Sequence, residues 1–272
     1  METNLQIQGP VLITGSVSGI GYATAKRAIA CGAITIIHGP DLTMAQRVAK
    51  DLGAAYAVGG DLSDPCTPQQ MIDEIIATFG TLHGLVNNAA NTGRSYLENT
   101  TIELFDNMIA VNVRAPLMLI QAAVPHMEAA GGGRIVNIGS VNAWCGERNL
   151  LAYSISKGAL LTLTRNLGDS LGPRGIRINQ VNPGWVLTDN ERFLKRAEGM
   201  PDDWPERLPI TTAPSGTLID PDELAATVCF LLSNLAPRIS GSIIDYEQYP
   251  VIGRNPPKEV ADKPRESNTP VR

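Results

Sequence analysis

Ser140, Tyr153 and Lys157 are the residues of this 272-residue chain whose types and spacing could do chemistry together. The apolar run over 134–139 predicts a buried strand that delivers Ser140 at its carboxyl end. A helix beginning near Ala152 sets Tyr153 and Lys157 one turn apart on one face. A hydroxyl, a phenol and an ammonium group then meet in one small volume. Spacing alone fits equally well a helix with an aromatic anchor and a solvated lysine, so the surrounding elements must decide.

Those elements alternate short apolar runs with amphipathic segments, the pattern of a parallel sheet covered by helices on both faces. Strands are expected over 11–14, 34–38, 55–58, 82–86, 134–139, 177–181 and 242–245. The fold class is therefore α/β, a doubly wound, Rossmann-type parallel sheet of about seven strands. The first strand runs into Thr14-Gly15-Ser16-Val17-Ser18-Gly19-Ile20-Gly21, and residues 22–30 read as a helix. Glycines allow a tight turn and close backbone approach, and the helix start offers N–H groups and a positive dipole end to a diphosphate. A purely structural turn is the alternative, and the place of this turn between first strand and first helix argues against it.

Along the rest of the chain each motif keeps two readings. Gly39, Pro40 and Asp41 follow the second strand, where an acid would favour a ribose 2'-hydroxyl and a base a 2'-phosphate. Neither stands at the expected place, so NAD and NADP stay open, with His38 and Asp41 as imperfect guides. Asp61 could accept from an adenine amino group, or belong to an acidic turn that caps a helix near Pro65. Asn87-Asn88-Ala89-Ala90 could bond across the sheet beside a flat ring, or form an ordinary turn. Residues 101–127 read as one long helix with Asn112 in its middle and Pro116 one turn later. Proline lacks an N–H, so the carbonyl of Asn112 needs another donor such as a water, unless the kink merely fits the helix to the sheet. After Asn182-Pro183-Gly184-Trp185-Val186-Leu187-Thr188, residues 189–220 are charged and proline-rich, the composition of a flap over a ligand site. A helix is expected over 221–233, with Asp220 as its cap and Pro221 in its first turn.

Composition narrows the partners. A net charge of -5 without a run of Lys or Arg gives no footprint for nucleic acid or an anionic membrane, so small molecules are expected. Cysteines 31, 66, 145 and 229 fall in no ligand-like spacing, which points to isolated thiols in a reducing compartment and to no metal site. The amino terminus does not read as a secretory signal and no apolar run reaches about 18 residues, so a cytoplasmic protein is expected.

Taken together, these residues resemble the short-chain dehydrogenase/reductase family in its single-domain branch, over roughly 8–246. The resemblance is carried by Thr14-Gly15-x-x-x-Gly19-x-Gly21, Asp61, Asn87-Asn88-Ala89, Asn112, Ser140, Tyr153-x-x-x-Lys157, Pro183-Gly184 and Thr188, all in family order. The family's usual glycine after Asn-Asn-Ala is Ala90 here, and its Asp-Gly-Gly near the last strand is replaced by Glu247-Gln248-Tyr249. The resemblance implies one dinucleotide-binding catalytic domain over 1–252, with the flap near 189–220 and a polar, proline-rich tail over 253–272. It implies that NAD or NADP is held by Gly15, Ser16, Ser18, Gly19, Ile20, Gly21, Gly39, Asp61, Leu62, Asn88, Ala89, Tyr153, Lys157, Pro183, Gly184, Val186 and Thr188. Tyr153 is the implied general acid or base, with Lys157 lowering its pKa, Ser140 donating to the substrate oxygen and Asn112 holding a water that leads to solvent.

The implied reaction is hydride transfer between NAD(P) and a secondary alcohol or ketone. Trp144, Trp185 and Trp204 fall in segments expected to border the pocket, with Asn91, Arg94, Asn142, Glu147 and Asn190 as polar neighbours. Indole faces among hydrogen-bonding groups suit a sugar or polyol, though tryptophans also simply fill loops. Asn142, Trp144 and Trp185 are the substrate candidates. A 3-oxoacyl thioester reductase, for which Arg94, Arg148 and Arg192 would have to form a basic mouth, is the alternative. A non-catalytic nucleotide-binding scaffold and an isomerase or dehydratase with permanently bound NAD are others. Leu104, Ile109, Leu117, Leu119, Leu160, Leu161 and Leu163 give the helices over 101–127 and 152–171 apolar residues on more than one side, and a homodimer or homotetramer is expected through them.

Overall fold

The computed structural model of the chain describes residues 5–250, so the tail expected over 253–272 lies outside the described residues. Seven strands, β1 (Pro10–Ile13), β2 (Ile34–Gly39), β3 (Tyr56–Gly59), β4 (Gly84–Asn87), β5 (Gly133–Ile138), β6 (Ile176–Pro183) and β7 (Ile243–Tyr246), form one sheet. The order is β3-β2-β1-β4-β5-β6-β7, and every pairing is parallel. The order reverses between β1 and β4, so the crevice for a ligand opens beyond the carboxyl ends of those two strands.

Alternation along the strands divides the core. Val11, Ile13, Ile37, Val86 and Val181 pack under α1 (Gly19–Ala30), α2 (Leu42–Leu52) and α9 (Pro221–Leu232). Leu12, Ile36, Val58, Leu85 and Ile178 face α3 (Thr67–Phe79) and α5 (Ala115–Ala129), with Leu163 and Leu167 of α7 (Leu151–Ser170) packed against the same cluster. Asp220 caps α9 in a reciprocal box with Glu223, with Pro221 at the first turn as the sequence indicates.

The long helix expected over 101–127 is interrupted. It consists of α4 (Ile102–Ile109), a π-turn (Ala110–Arg114) in which the Ala115 N–H donates to the Ala110 carbonyl, and α5. Pro116 lies two residues beyond this turn, so the backbone meets a missing N–H by widening its hydrogen-bond step. The stretch Ile102–Ala129 is long and apolar enough on average to cross a membrane by length and composition, although Glu103, Asp106 and Arg114 break it, so it holds no uninterrupted apolar run of about 18 residues. In this fold it is a core helix lying on the sheet. Leu119, Leu160 and Leu161, expected to help face another subunit, are buried in the chain's own core.

The segment over 189–220 carries α8 (Asp189–Ala197) and a short 3-10 turn (Trp204–Arg207). Trp185, Trp204, Leu208, Ala213 and Leu218 form a small core of its own beside the main one.

Candidate active site

The carboxyl ends of β1, β4, β5 and β6 open into a cavity of about 580 Å³. Gly15, Ser18, Gly19 and Ile20 line it from the first turn, with Asp61 and Leu62 after β3, Asn88 and Ala89 after β4, and Pro183, Gly184, Val186 and Thr188 after β6. Ser140, Asn142, Tyr153, Lys157 and Trp185 line it as well. The residues that spacing alone could not join are therefore brought to one wall by β5 and α7.

The first turn fits a diphosphate. α1 starts at Ser18 with no capping bond from that side chain, so its first N–H groups face the cavity beside Gly15 and Gly19. A Cβ on Gly21 would press into the Gly15 carbonyl and stand 2.5 Å from Asn88 Nδ2. Asn88 Nδ2 donates to the carbonyls of Thr14 and Gly15 at 2.9 and 3.1 Å, and the Asn88 and Ala89 N–H groups donate to Thr14 Oγ1 at 2.9 and 3.0 Å. Asn88 and Ala89 thus fasten the turn to the end of β4. Ser16, Gly21 and Gly39 shape the turn from behind the cavity: Ser16 Oγ donates to the Ile13 carbonyl at 2.7 Å, and a Cβ on Gly39 would meet Val17 at 2.8 Å. Asp41 caps α2 by accepting from the Met44 N–H at 2.9 Å, and Asp61 accepts from the Ser63 N–H at 2.8 Å.

Around the catalytic candidates the groups are buried and coupled. Burial pushes the Tyr153 phenol up to about 12; its hydrogen bond with Ser140 acts against that rise and the Glu147 carboxylate adds to it. Burial pushes the Lys157 ammonium down to about 8, and Nζ donates to the Ile138 carbonyl at 2.7 Å. At neutral pH the pair is a neutral phenol beside a mostly charged lysine. Asn112 is buried behind this wall. Its Oδ1 accepts from the Asn91 N–H at 2.8 Å, and its Nδ2 lies 2.9 Å from both the Asn91 carbonyl and Ser156 Oγ. Asn91, expected as a pocket neighbour, is used in that exchange.

Ser140 is set from below. Asn182 Oδ1 accepts from the Ser140 N–H at 3.1 Å and from Gln180 Nε2 at 2.7 Å, while Asn182 Nδ2 donates to Asp245 at 2.9 Å. A Cβ on Gly139 would collide with Asn182 and Gln180, which fixes glycine there.

Of the three tryptophans, Trp185 lines the cavity and Trp144 and Trp204 do not. Trp144 stands half-exposed outside the cavity lining, with Nε1 on Asp245 at 2.8 Å and Arg165 over its ring at 5.3 Å. Trp204 is buried and stacks on Trp185 at 5.1 Å. Trp185 lines the cavity, but its Nε1 donates to Glu191 at 2.8 Å and the Lys195 ammonium lies 5.6 Å from its ring centre. Arg94 lines the cavity and donates to Glu198 at 2.9 and 3.1 Å, while Lys195 donates to the other Glu198 oxygen at 2.6 Å. The sequence reading did not single out Glu191, Glu198 or Asp245, which hold Trp185, Arg94 and Asn182; the last two pairs join segments far apart in the chain.

Residues 15–247 match a family model described as enoyl-(acyl carrier protein) reductase. The chain is 36% identical over 68% of its length to a probable galactose dehydrogenase of Rhizobium meliloti, covering 74% of that protein. It is 32% identical over 88% of its length to the L-rhamnose 1-dehydrogenase (NAD(P)(+)) of Azotobacter vinelandii, covering 94% of it. Among solved structures it superposes with a TM-score of 0.81 on a 3-oxoacyl (acyl-carrier-protein) reductase of Agrobacterium tumefaciens with NADP bound, at 28% identity over 89% of this chain and 93% of that one.

Proposed function

The chain belongs to the short-chain dehydrogenase/reductase family and is an NAD(P)-dependent oxidoreductase, and we propose that its substrate is a neutral sugar or polyol oxidised at a secondary alcohol, or the matching ketone. One observation carries this reading. The substrate half of the cavity is lined by Thr92, Asn142, Asn190 and Glu191, and its Arg94 is already neutralised by Glu198. Hydroxyl groups find donors and acceptors there, whereas among the described lining residues an anionic substrate meets only Lys157 and the already paired Arg94 as cations. The similarity to galactose and rhamnose dehydrogenases supports the same class.

NAD or NADP, when bound, would supply the hydride acceptor or donor. Tyr153 takes the alcohol proton as the hydride leaves, or returns it in reduction. Lys157 would stabilise the phenolate by its charge and hold the nucleotide ribose, and Ser140 would donate to the substrate oxygen where charge develops. The carbonyl of Asn112 holds a water that connects Lys157 to solvent. Gly184, Val186 and Thr188, which line the cavity, would hold the nicotinamide end, and Asn142 would meet the substrate.

A 3-oxoacyl thioester is the second reading, favoured by the reductase with NADP bound. Arg148 and Arg192 are exposed and can serve an acidic carrier, but the pairing of Arg94 weighs against it. Sugars, polyols, steroids, short secondary alcohols and a 3-oxoacyl thioester, each assayed with NAD and NADP separately, decide the matter. Turnover of neutral polyols is expected, and turnover of the thioester alone would reverse the order. The chain forms a homodimer or homotetramer through α4, α5 and α7, where Ile102 and Ile155 are exposed; light scattering showing a monomer at micromolar concentration would contradict this. A reducing cytoplasmic compartment belongs to the same reading, supported by the free thiols of Cys31, Cys66, Cys145 and Cys229.

A further inference from the structure

We infer that His38 is a positioning residue for the nucleotide, clamping the glycine turn after β1 and the loop after β3 at the separation the nucleotide requires. The inference rests on NAD(P) binding in this cavity. β2 lies between β1 and β3, so its last side chains can reach the loops on both sides. Sheet pairing ends just there: the β1 to β2 register stops at Ile13↔Ile37 and the β2 to β3 register at Gly39↔Gly59. Beyond those points the two loops leave the sheet.

His38 takes over where the pairing stops. The Gly15 N–H donates to His38 Nδ1 at 3.0 Å, so that nitrogen carries no proton, and Nε2–H donates to the Gly60 carbonyl at 3.1 Å. The His38 N–H donates to Ser16 Oγ at 3.0 Å, and the Ser16 N–H donates to the His38 carbonyl at 2.9 Å. His38 is only 2% exposed, and both loops that it ties line the cavity, one through Gly15 and Ser18, the other through Gly60, Asp61 and Leu62. Gly15 therefore spends its N–H on the imidazole and gives the nucleotide its close backbone approach instead. Of the neutral side chains, few can accept from one loop and donate to the other at this reach; an apolar one leaves the Gly15 N–H and the Gly60 carbonyl without their partner.

The test is calorimetric titration of the full chain with NAD and with NADP, without substrate, for wild type and for His38→Leu, His38→Asn and His38→Gln. His38→Leu is expected to raise Kd about tenfold for both nucleotides alike, since both use the same backbone frame. His38→Asn, which keeps an acceptor near the Gly15 N–H, is expected to recover part of that loss. If His38→Leu does not fold, intermediate losses in the Asn and Gln variants carry the same expectation. A Kd unchanged within about twofold in every folded variant overturns the proposal. So does a loss confined to one nucleotide, which would mean that the ring reads the ribose. Wild-type protein that binds neither nucleotide overturns the NAD(P) reading and this inference together, and is distinguished by that first titration.

Discussion

The Lys157 ammonium lies 5.5 Å from the centre of the Tyr153 ring and is held there by the Ile138 carbonyl, at the end of the strand that leads to Ser140. The charge meant to act on the phenol is thus fixed by the backbone of β5, so lysine, tyrosine and serine are placed by one strand and one helix.

Removing that charge moves the pH dependence in a definite direction. Oxidation needs the phenolate, and burial, with the Ser140 hydrogen bond opposing it and the Glu147 carboxylate adding to it, holds the phenol up at about 12. Lys157→Met is expected to shift the rising limb of kcat/KM for alcohol oxidation to higher pH by at least about one unit, with a lower rate at neutral pH. A pH-rate profile of variant and wild type checks this.

His38 gives a second pH signature, in stability. Burial lowers its pKa from 6.5 to about 4, so between those values the unfolded chain binds a proton that the folded one does not. Stability is therefore full above about 6.5 and falls as pH drops toward 4, by roughly 3 kcal/mol over the whole window. His83, lowered chiefly by its burial, acts in the same direction. Urea unfolding at pH 7.5 and pH 5 is expected to show a smaller difference in His38→Asn than in wild type.

The strands, the glycine turn and the chemical triad were legible in the sequence because each depends on local pattern: apolar runs of strand length, glycines at a strand-to-helix junction, and a four-residue helical spacing. What stayed hidden depends on contacts across the chain. His38 looked like a weak guide to the ribose and is a clamp between two loops. Trp144 looked like a pocket wall and is tied to Asp245, about a hundred positions away. The π-turn before Pro116 was invisible, since a missing N–H marks where a helix must change and not how.

Asp245 is expected to act on Ser140 through Asn182. Asp245→Ala removes the acceptor that fixes the Asn182 amide, so the Oδ1 that receives the Ser140 N–H can turn away. Loss of kcat/KM by about tenfold is expected, with nucleotide Kd little changed. Trp144→Phe, which removes only the other donor to Asp245, is expected to lose much less. Steady-state kinetics and nucleotide titration on both variants check the split.

The proposed preference for a neutral substrate rests on the pairing of Arg94 with Glu198. Glu198→Gln leaves Arg94 and Lys195 without their carboxylate, so KM for a sugar acid is expected to fall relative to KM for the corresponding neutral sugar, by about fivefold or more. Paired assays on the two substrates measure it.

The measurement that bears most directly on the whole account is turnover by Tyr153→Phe of the best neutral polyol found, with nucleotide binding followed in parallel. The account predicts loss of reduced-nucleotide formation by about 10²–10⁴-fold while the variant still binds NAD or NADP. A Tyr153→Phe enzyme that turns over the same polyol at a rate near that of wild type would contradict it.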